Sequence, residues 1–276
     1  MAARMQVLTI RLATPSDIPQ ALALSRGAGW NQLASDWQTL MRLSPDGCFA
    51  LECDSRLAAT TTVVCYGRQL AWIGMVLTAP EFRRQGFAGL LLRKALALVK
   101  ERGIASVQLD ATEAGVGLYQ RLGFREVCRI ERWQRLPGRV DRSVVEPYVP
   151  DPELDRTVFG ADRSPLLSHL AIAGAASFPG QGYAMGRPGH LAAYFGPCVA
   201  TSSDAARALL RWFLAQHPHS KIFWDLFPDN VDAVSLAEES AFTPVRRLVR
   251  MVLSGDSISA PYSHKEQFAI AGFEFG

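Results

Sequence analysis

Apolar and polar positions alternate from Val7 to Leu12, which reads as an edge strand. Thr14-Pro15-Ser16-Asp17 then carries a helix-start signal: Thr14 can cap, and Pro15 suits a first turn. Ile18, Ala21, Leu22 and Leu24 follow at helical spacing. A second helix is predicted near Ser35 to Arg42. Phe49–Cys53, Leu57–Tyr66 and Ala71–Leu77 read as three strands, the first two joined by the turn Asp54-Ser55-Arg56. After Pro80 and a basic loop, a helix with an apolar period opens at Gly86. A strand over Ser106–Thr112, a helix around Leu118–Leu122 and a strand over Arg125–Trp133 complete the first half.

Leu136-Pro137-Gly138-Arg139 breaks the pattern, and Pro147, Pro150 and Pro152 keep the next stretch extended. The predicted elements beyond it are helices at Pro152–Phe159 and Pro165–Ala171, then strands from about Gly180. Next come a strand over Ala192–Ala200, a helix over Ala205–Gln216 capped by Ser203-Asp204, a strand over Lys221–Phe227, a helix over Val231–Ser240 and a strand over Val245–Leu253. At 276 residues the chain suits two domains, divided here as 1–136 and 137–276.

Composition narrows the classes. Apolar residues make up 49% and charged residues 20%, enough for a full core. A net charge of +3 and the lack of basic residues at helical spacing with aromatics speak against nucleic acid as a partner. The five cysteines (Cys48, Cys53, Cys65, Cys128, Cys198) form no C-x-x-C pair and have no histidine at ligand spacing, so no metal is expected. Scattered thiols suit a reducing cytoplasm. Residues 1–9 are too short and polar for a leader, and no run of 18 apolar residues suggests a membrane span.

The richest chemistry lies between Val76 and Ala88. A buried strand leads through Pro80 into the basic turn Arg83-Arg84-Gln85 and then into a helix at Gly86-Phe87-Ala88-Gly89. The first N–H groups of a helix have no partner within it, and the helix dipole adds partial positive charge there. Phosphate oxygens satisfy both. Gly86 lets a ligand approach the backbone, and the two arginines add charge. The turn is therefore a candidate pyrophosphate site.

Arg83-x-x-Gly86-x-Ala88 resembles the acetyl-coenzyme A signature of the GCN5-related N-acetyltransferases, R/Q-x-x-G-x-G/A. Leu118-Tyr119 followed by Gly123-Phe124 is similar to the same family's closing helix and strand. The resemblance implies an α/β (α+β) acyl-CoA N-acyltransferase fold, with a mixed, mostly antiparallel sheet flanked by helices. It implies acetyl-CoA as co-substrate, held by Arg83, Arg84, Gln85, Gly86, Phe87, Ala88 and Gly89. It also implies that the pantetheine pairs with the backbone of Met75, Val76 and Leu77, where an N–H can polarise the thioester as in an oxyanion hole.

The second half repeats the first. Leu109-Asp110-Ala111-Thr112 has its counterpart in Trp224-Asp225-Leu226-Phe227, and Leu118 through Phe124 in Leu236 through Phe242. The basic loop is replaced by Thr201-Ser202-Ser203-Asp204-Ala205-Ala206, without arginine or glycine. Asp204 would repel phosphate. The whole chain resembles a tandem arrangement in which a complete acetyltransferase domain precedes a shorter, degenerate GNAT-like one.

Within that resemblance Tyr119 stands where the family keeps a general acid. A phenol and a thiol have pKa values of roughly 10 and 8.5, so proton transfer to a departing sulfur is feasible. A tyrosine packed in the core is the competing reading. Asp110 and Glu113 are the candidate bases for an ammonium substrate, or else a cap and a turn residue. Gly115-Val116-Gly117 occupies the area where the family often has an asparagine on the cofactor. Trp30, Asn31, Asp36 and Trp37 are candidates for the acceptor pocket, with Arg163 reaching in from the second half; the tryptophans equally suit a core. The expected activity is acetyl transfer to the amine of a small molecule by direct attack in a ternary complex, by a monomer or homodimer. An acyl-CoA sensor without turnover and a protein N-acetyltransferase are the alternatives.

Overall fold

The computed structural model describes residues 6–141, 143–254 and 264–276. Residues 1–5, part of the segment read as too short for a leader, lie outside the described residues. The chain folds as two compact units, Met1–Val107 and Gln108–Gly276.

The first unit contains β1 (Leu8–Leu12), α1 (Ile18–Gly27), α2 (Ala34–Leu43), β2 (Cys48–Cys53), β3 (Arg56–Tyr66), β4 (Leu70–Thr78) and α3 (Phe87–Glu101). Strands β1 to β4 form an antiparallel meander, with Ile10 beside Leu51, Leu51 beside Ala59, and Thr60 beside Leu77. Its core contains Trp37, Leu40, Leu51, Val63, Trp72, Leu91 and Leu92, each at most 2% exposed. The 15-residue α3 buries Phe87, Leu91, Leu92, Ala95 and Val99, the helical stripe expected of a one-sided helix. Before α1, Thr14 opens a three-residue 3₁₀ turn rather than the α-helix itself. Its N–H donates to Asp17 Oδ2 at 2.7 Å, and Asp17 in turn takes two 2.7 Å bonds from Arg11. The Arg11 guanidinium, ahead of the opposing effect of burial, holds the Asp17 carboxyl below its ordinary range.

β5 (Ser106–Ala111) runs through the division between the units. The second unit continues with α4 (Glu113–Gln120), β6 (Arg125–Arg135), β7 (Glu146–Pro147), α5 (Pro152–Phe159), α6 (Ser164–Leu170), β8 (Ala175–Phe178), β9 (Gly182–Arg187) and β10 (Ala193–Ala200). It ends with α7 (Ser203–Gln216), β11 (Ile222–Leu226), α8 (Val231–Glu239), β12 (Thr243–Ser254) and β13 (Gln267–Ala269). The strand order is β12-β6-β11-β10-β9-β8-β7, with β13 on β10. β10 and β11 are parallel; the pairs on either side of them are antiparallel. A core of Leu209, Leu210, Phe213, Trp224, Leu226, Leu236 and Phe242 packs α7 and α8 onto this sheet. The break at Leu136-Pro137-Gly138 marks the end of β6, which pairs on its two edges with β11 and β12.

Candidate acyl-carrier site and the second helix start

β4 departs from regular pairing just before the basic turn. Thr60 pairs with Leu77 and Thr62 with Gly74, so Met75 and Val76 together face Thr61. This is a β-bulge, and Met75 takes a positive φ of 50° within it. The Thr60 hydroxyl donates to the Met75 carbonyl at 2.8 Å, in a buried site, and pins the bulge. Met75 and Leu77 are buried and Val76 is half-buried. The side chains of this stretch are therefore mostly core, and its exceptional feature is the backbone.

The turn that follows is braced from outside. Arg56 at the start of β3 pairs with Glu81 and lies 5.5 Å from the centre of the Phe82 ring. Arg83 Nε donates to the Thr78 carbonyl at 3.3 Å, and Gln85 Nε2 to the Glu81 carbonyl at 3.2 Å. Arg83, Arg84, Gln85 and Gly86 are exposed, whereas Phe87 and Gly89 are buried and Ala88 is half-buried. Gly86 caps α3 with φ 83°, a left-handed conformation that favours glycine. A Cβ built on it would meet nothing within 4 Å, so the space above the helix start is open. No side chain caps α3, and its first turn carries no acid. The arrangement fits an anionic pyrophosphate: unclaimed amides, two exposed arginines and clearance for close approach.

The matching helix start in the second unit is closed. Ser202, not Ser203-Asp204 as expected, is the N-cap of α7, because its extended backbone turns Oγ toward the Ala205 N–H at 3.2 Å. Asp204 sits in the first turn. This helix start satisfies one of its own amides and presents a carboxylate where α3 presents arginines.

The sequence-predicted catalytic and acceptor residues fare differently. Tyr119 is buried at 7% exposure near the end of α4, with Phe124 edge-on at 6.0 Å. Burial pushes its phenol well above the ordinary tyrosine value, so it stays protonated through the physiological range. Glu113 is exposed at the first turn of α4. Asp110 is engaged elsewhere: both its oxygens accept from Arg250, each at 2.9 Å, and its side chain has no exposure. A carboxylate held this way serves a buried ion pair, with both oxygens on one guanidinium and no exposure to solvent, an environment that does not suit the base role expected of it.

Arg163, the residue expected to reach in from the second half, is also held in an ion pair. It is fully buried within the second unit, 4.0 Å over the Phe159 ring, and donates to Asp155 at 2.9 Å and to the Gly276 carbonyl at 3.2 Å. Asp155 also accepts from the Tyr183 hydroxyl. In the first unit, Asp36 accepts from the Leu33 N–H at 2.7 Å and so caps α2. Asn31 is buried, and Trp30 is half-buried. Trp37 is a core residue with no exposure; among the described residues its indole Nε1 has no hydrogen-bond partner. Among the described residues no three His, Cys, Asp or Glu side chains converge as a metal site, and no helix is long and apolar enough to cross a membrane. All five cysteines are free thiols; burial pushes Cys48 up to about 12.

A bulged strand, a basic turn and an open helix start, set in a mostly antiparallel sheet flanked by helices, define the acyl-CoA N-acyltransferase fold class. The acetyltransferase (GNAT) family model matches residues 19–124, and an acetyltransferase (GNAT) domain model matches residues 152–268. The chain belongs to the GNAT acetyltransferases and is a tandem of two such segments. It is 28% identical over 120 residues to an uncharacterized N-acetyltransferase of Methanocaldococcus jannaschii, an alignment covering 40% of this chain and 52% of that protein. The match thus spans about half the length of that curated relative. In fold it is similar to a candidate acetyltransferase of Pyrococcus horikoshii, with TM-score 0.85, 23% identity and coverage of 99% of this chain and 98% of the other. A tandem GNAT protein from the clavulanic acid biosynthesis pathway gives TM-score 0.64 at 13% identity, covering 91% of this chain and 100% of that one.

Proposed function

We propose that the chain is an acetyl-coenzyme A-dependent N-acetyltransferase of the cytoplasm that acts on the amine of a small molecule, with one working site built on the first unit's basic turn. The observation that carries this reading is the start of α3 at Gly86, which no side chain caps, beside exposed Arg83 and Arg84. These residues would hold the pyrophosphate. When bound, acetyl-CoA supplies an acyl group activated as a thioester. Backbone groups at the Met75–Val76 bulge orient and polarise it.

In this reading attack is direct, within a ternary complex. Tyr119 keeps its proton at neutral pH and can give it to the leaving sulfur. Glu113, exposed on α4, is the carboxylate that takes or relays the amine proton, since Asp110 is bound to Arg250. The acceptor lies near Trp30 and Asn31.

The test is thiol release from acetyl-CoA over a panel of small amines, paired with calorimetry. Turnover with at least one amine and cofactor binding in the micromolar range are expected. Binding without turnover would make the chain a sensor, and acetylation of peptides alone would make the acceptor a protein. No heat with any acyl-CoA on folded protein would overturn the reading.

A further inference from the structure

In the second unit β10 and β11 run side by side for three residue pairs, from Ala193 beside Ile222 to Phe195 beside Trp224. Then β10 bulges. Phe195 faces Gly186 and Cys198 faces Ala184, so Gly196 and Pro197 stand against Met185 alone. Beyond the bulge β10 pairs with β13, Cys198 with Ala269 and Val199 with Gln267. The Ala200 N–H donates to the Glu266 carbonyl at 3.0 Å, while the Ile270 N–H donates to the Asp225 carbonyl on β11 at 3.1 Å. Residues 266–270 are thus a wedge bonded to both strands where these part.

Side chains grip the backbone of this wedge. Trp224 Nε1 donates to the Phe268 carbonyl at 2.7 Å, and the Tyr194 hydroxyl to the Ile270 carbonyl at 3.1 Å. Asn230 Nδ2 reaches the carbonyls of His264 and Gln267 at 2.7 and 3.2 Å. Phe268, Ala269, Ile270 and Ala271 are all at most 2% exposed. Gly196 is shaped to the wedge: a Cβ there would lie 2.2 Å from the Ile270 carbonyl oxygen. Donors aimed at successive carbonyls, with apolar side chains in pockets, are how proteins recognise an added strand.

The bulge of β10 repeats the bulge of β4 at Met75–Val76. Each lies in the strand that precedes a helix start, one open at Gly86 and one closed by Ser202. We propose that the notch beyond the β10 bulge is a binding slot for an extended peptide, that its ligand is this chain's own segment 264–271, and that this segment stands where the second repeat would otherwise take an acyl carrier. The chain therefore binds one acyl-CoA, on the first unit. This last consequence rests on the function proposed above.

The test uses the full chain with a specific protease site placed within residues 255–263. After cleavage, a fluorescent synthetic peptide of residues 264–276 is added in mild urea. Saturable uptake of one peptide per chain is expected, with affinity at least tenfold weaker for a peptide carrying Phe268→Asp and Ile270→Asp. Equal uptake of both peptides, or none by a cleaved chain that keeps its native circular dichroism, would overturn the slot. On the uncut chain, hydrogen exchange should show strong protection of the Ala200 and Ile270 amides, and free exchange there would also overturn it. Calorimetry with acetyl-CoA on the uncut chain should give one site. Two sites would overturn the inference, whereas none would overturn the proposed function and leave the peptide result to decide the slot.

Discussion

Arg250 Nε and Nη2 each donate to a separate oxygen of Asp110, both at 2.9 Å, and neither side chain is more than 5% exposed. The pair ties β12 to β5 across 140 residues of sequence. Breaking a buried pair leaves an uncompensated charge, which costs about 3–5 kcal/mol, whereas an apolar replacement of both partners is often neutral. Asp110→Asn should therefore lower unfolding stability by that order, and Asp110→Leu with Arg250→Met should recover most of it. Urea denaturation of the three variants measures this. Full stability but no turnover for Asp110→Asn would return the residue to the chemistry.

The open helix start makes its own prediction. Gly86→Ala forces a Cβ into a left-handed conformation at a cost of roughly 1–2 kcal/mol, and the new methyl stands where the ligand approaches. Arg84→Glu adds repulsion with little effect on folding, since Arg84 is exposed. Each should weaken acetyl-CoA binding at least tenfold by calorimetry. Glutamate in place of Asp204 on the second unit should leave it unchanged.

Tyr119→Phe should cut kcat by about a hundredfold, the usual scale of a lost general acid, with acetyl-CoA affinity kept. Because burial raises the phenol's pKa, deprotonation of Tyr119 should cause no loss of kcat/KM below about pH 10. An alkaline limb near pH 9 that vanishes in the Phe variant would contradict this environment.

His217 lies with its ring 4.4 Å from that of Phe213, and burial lowers its pKa. Its neutral form is the one the fold accepts. The resulting stability is fully present above about pH 6.5, the ordinary histidine value, and is lost as pH falls through the folded-state value. Thermal melts from pH 7.5 to 5 should show a decline that His217→Phe reduces.

Arg163 belongs to the interior of the second unit. Arg163→Ala leaves Asp155 buried without its guanidinium and should destabilise the protein by about 3–5 kcal/mol. A melting shift without change in KM for either substrate is expected from paired melting and steady-state measurements.

Much of this was legible in the sequence because its signals were local. The Gly86 helix start, the strands around Asp54-Ser55-Arg56 and the repeat of Leu118–Phe124 in Leu236–Phe242 each depend on residues within a few positions of one another. The partners of Asp110 and Arg163 were not legible in this way. A charge read alone does not disclose whether it faces a substrate or a distant ion pair, and Arg250 lies on a strand far along the chain. β13 has no clear signature in the sequence, although Gln267-Phe268-Ala269-Ile270 carries an apolar run. Three residues are too few for a strand period, and what makes them a strand is the notch they enter.

That arrangement sets an order for synthesis. Trp224 must await a carbonyl made 44 positions later, and Asn230 one made 37 positions later. The notch between β10 and β11 can therefore be filled only after residue 270 has been made, so the sheet of the second unit is completed by one of the later stretches of chain to be synthesised.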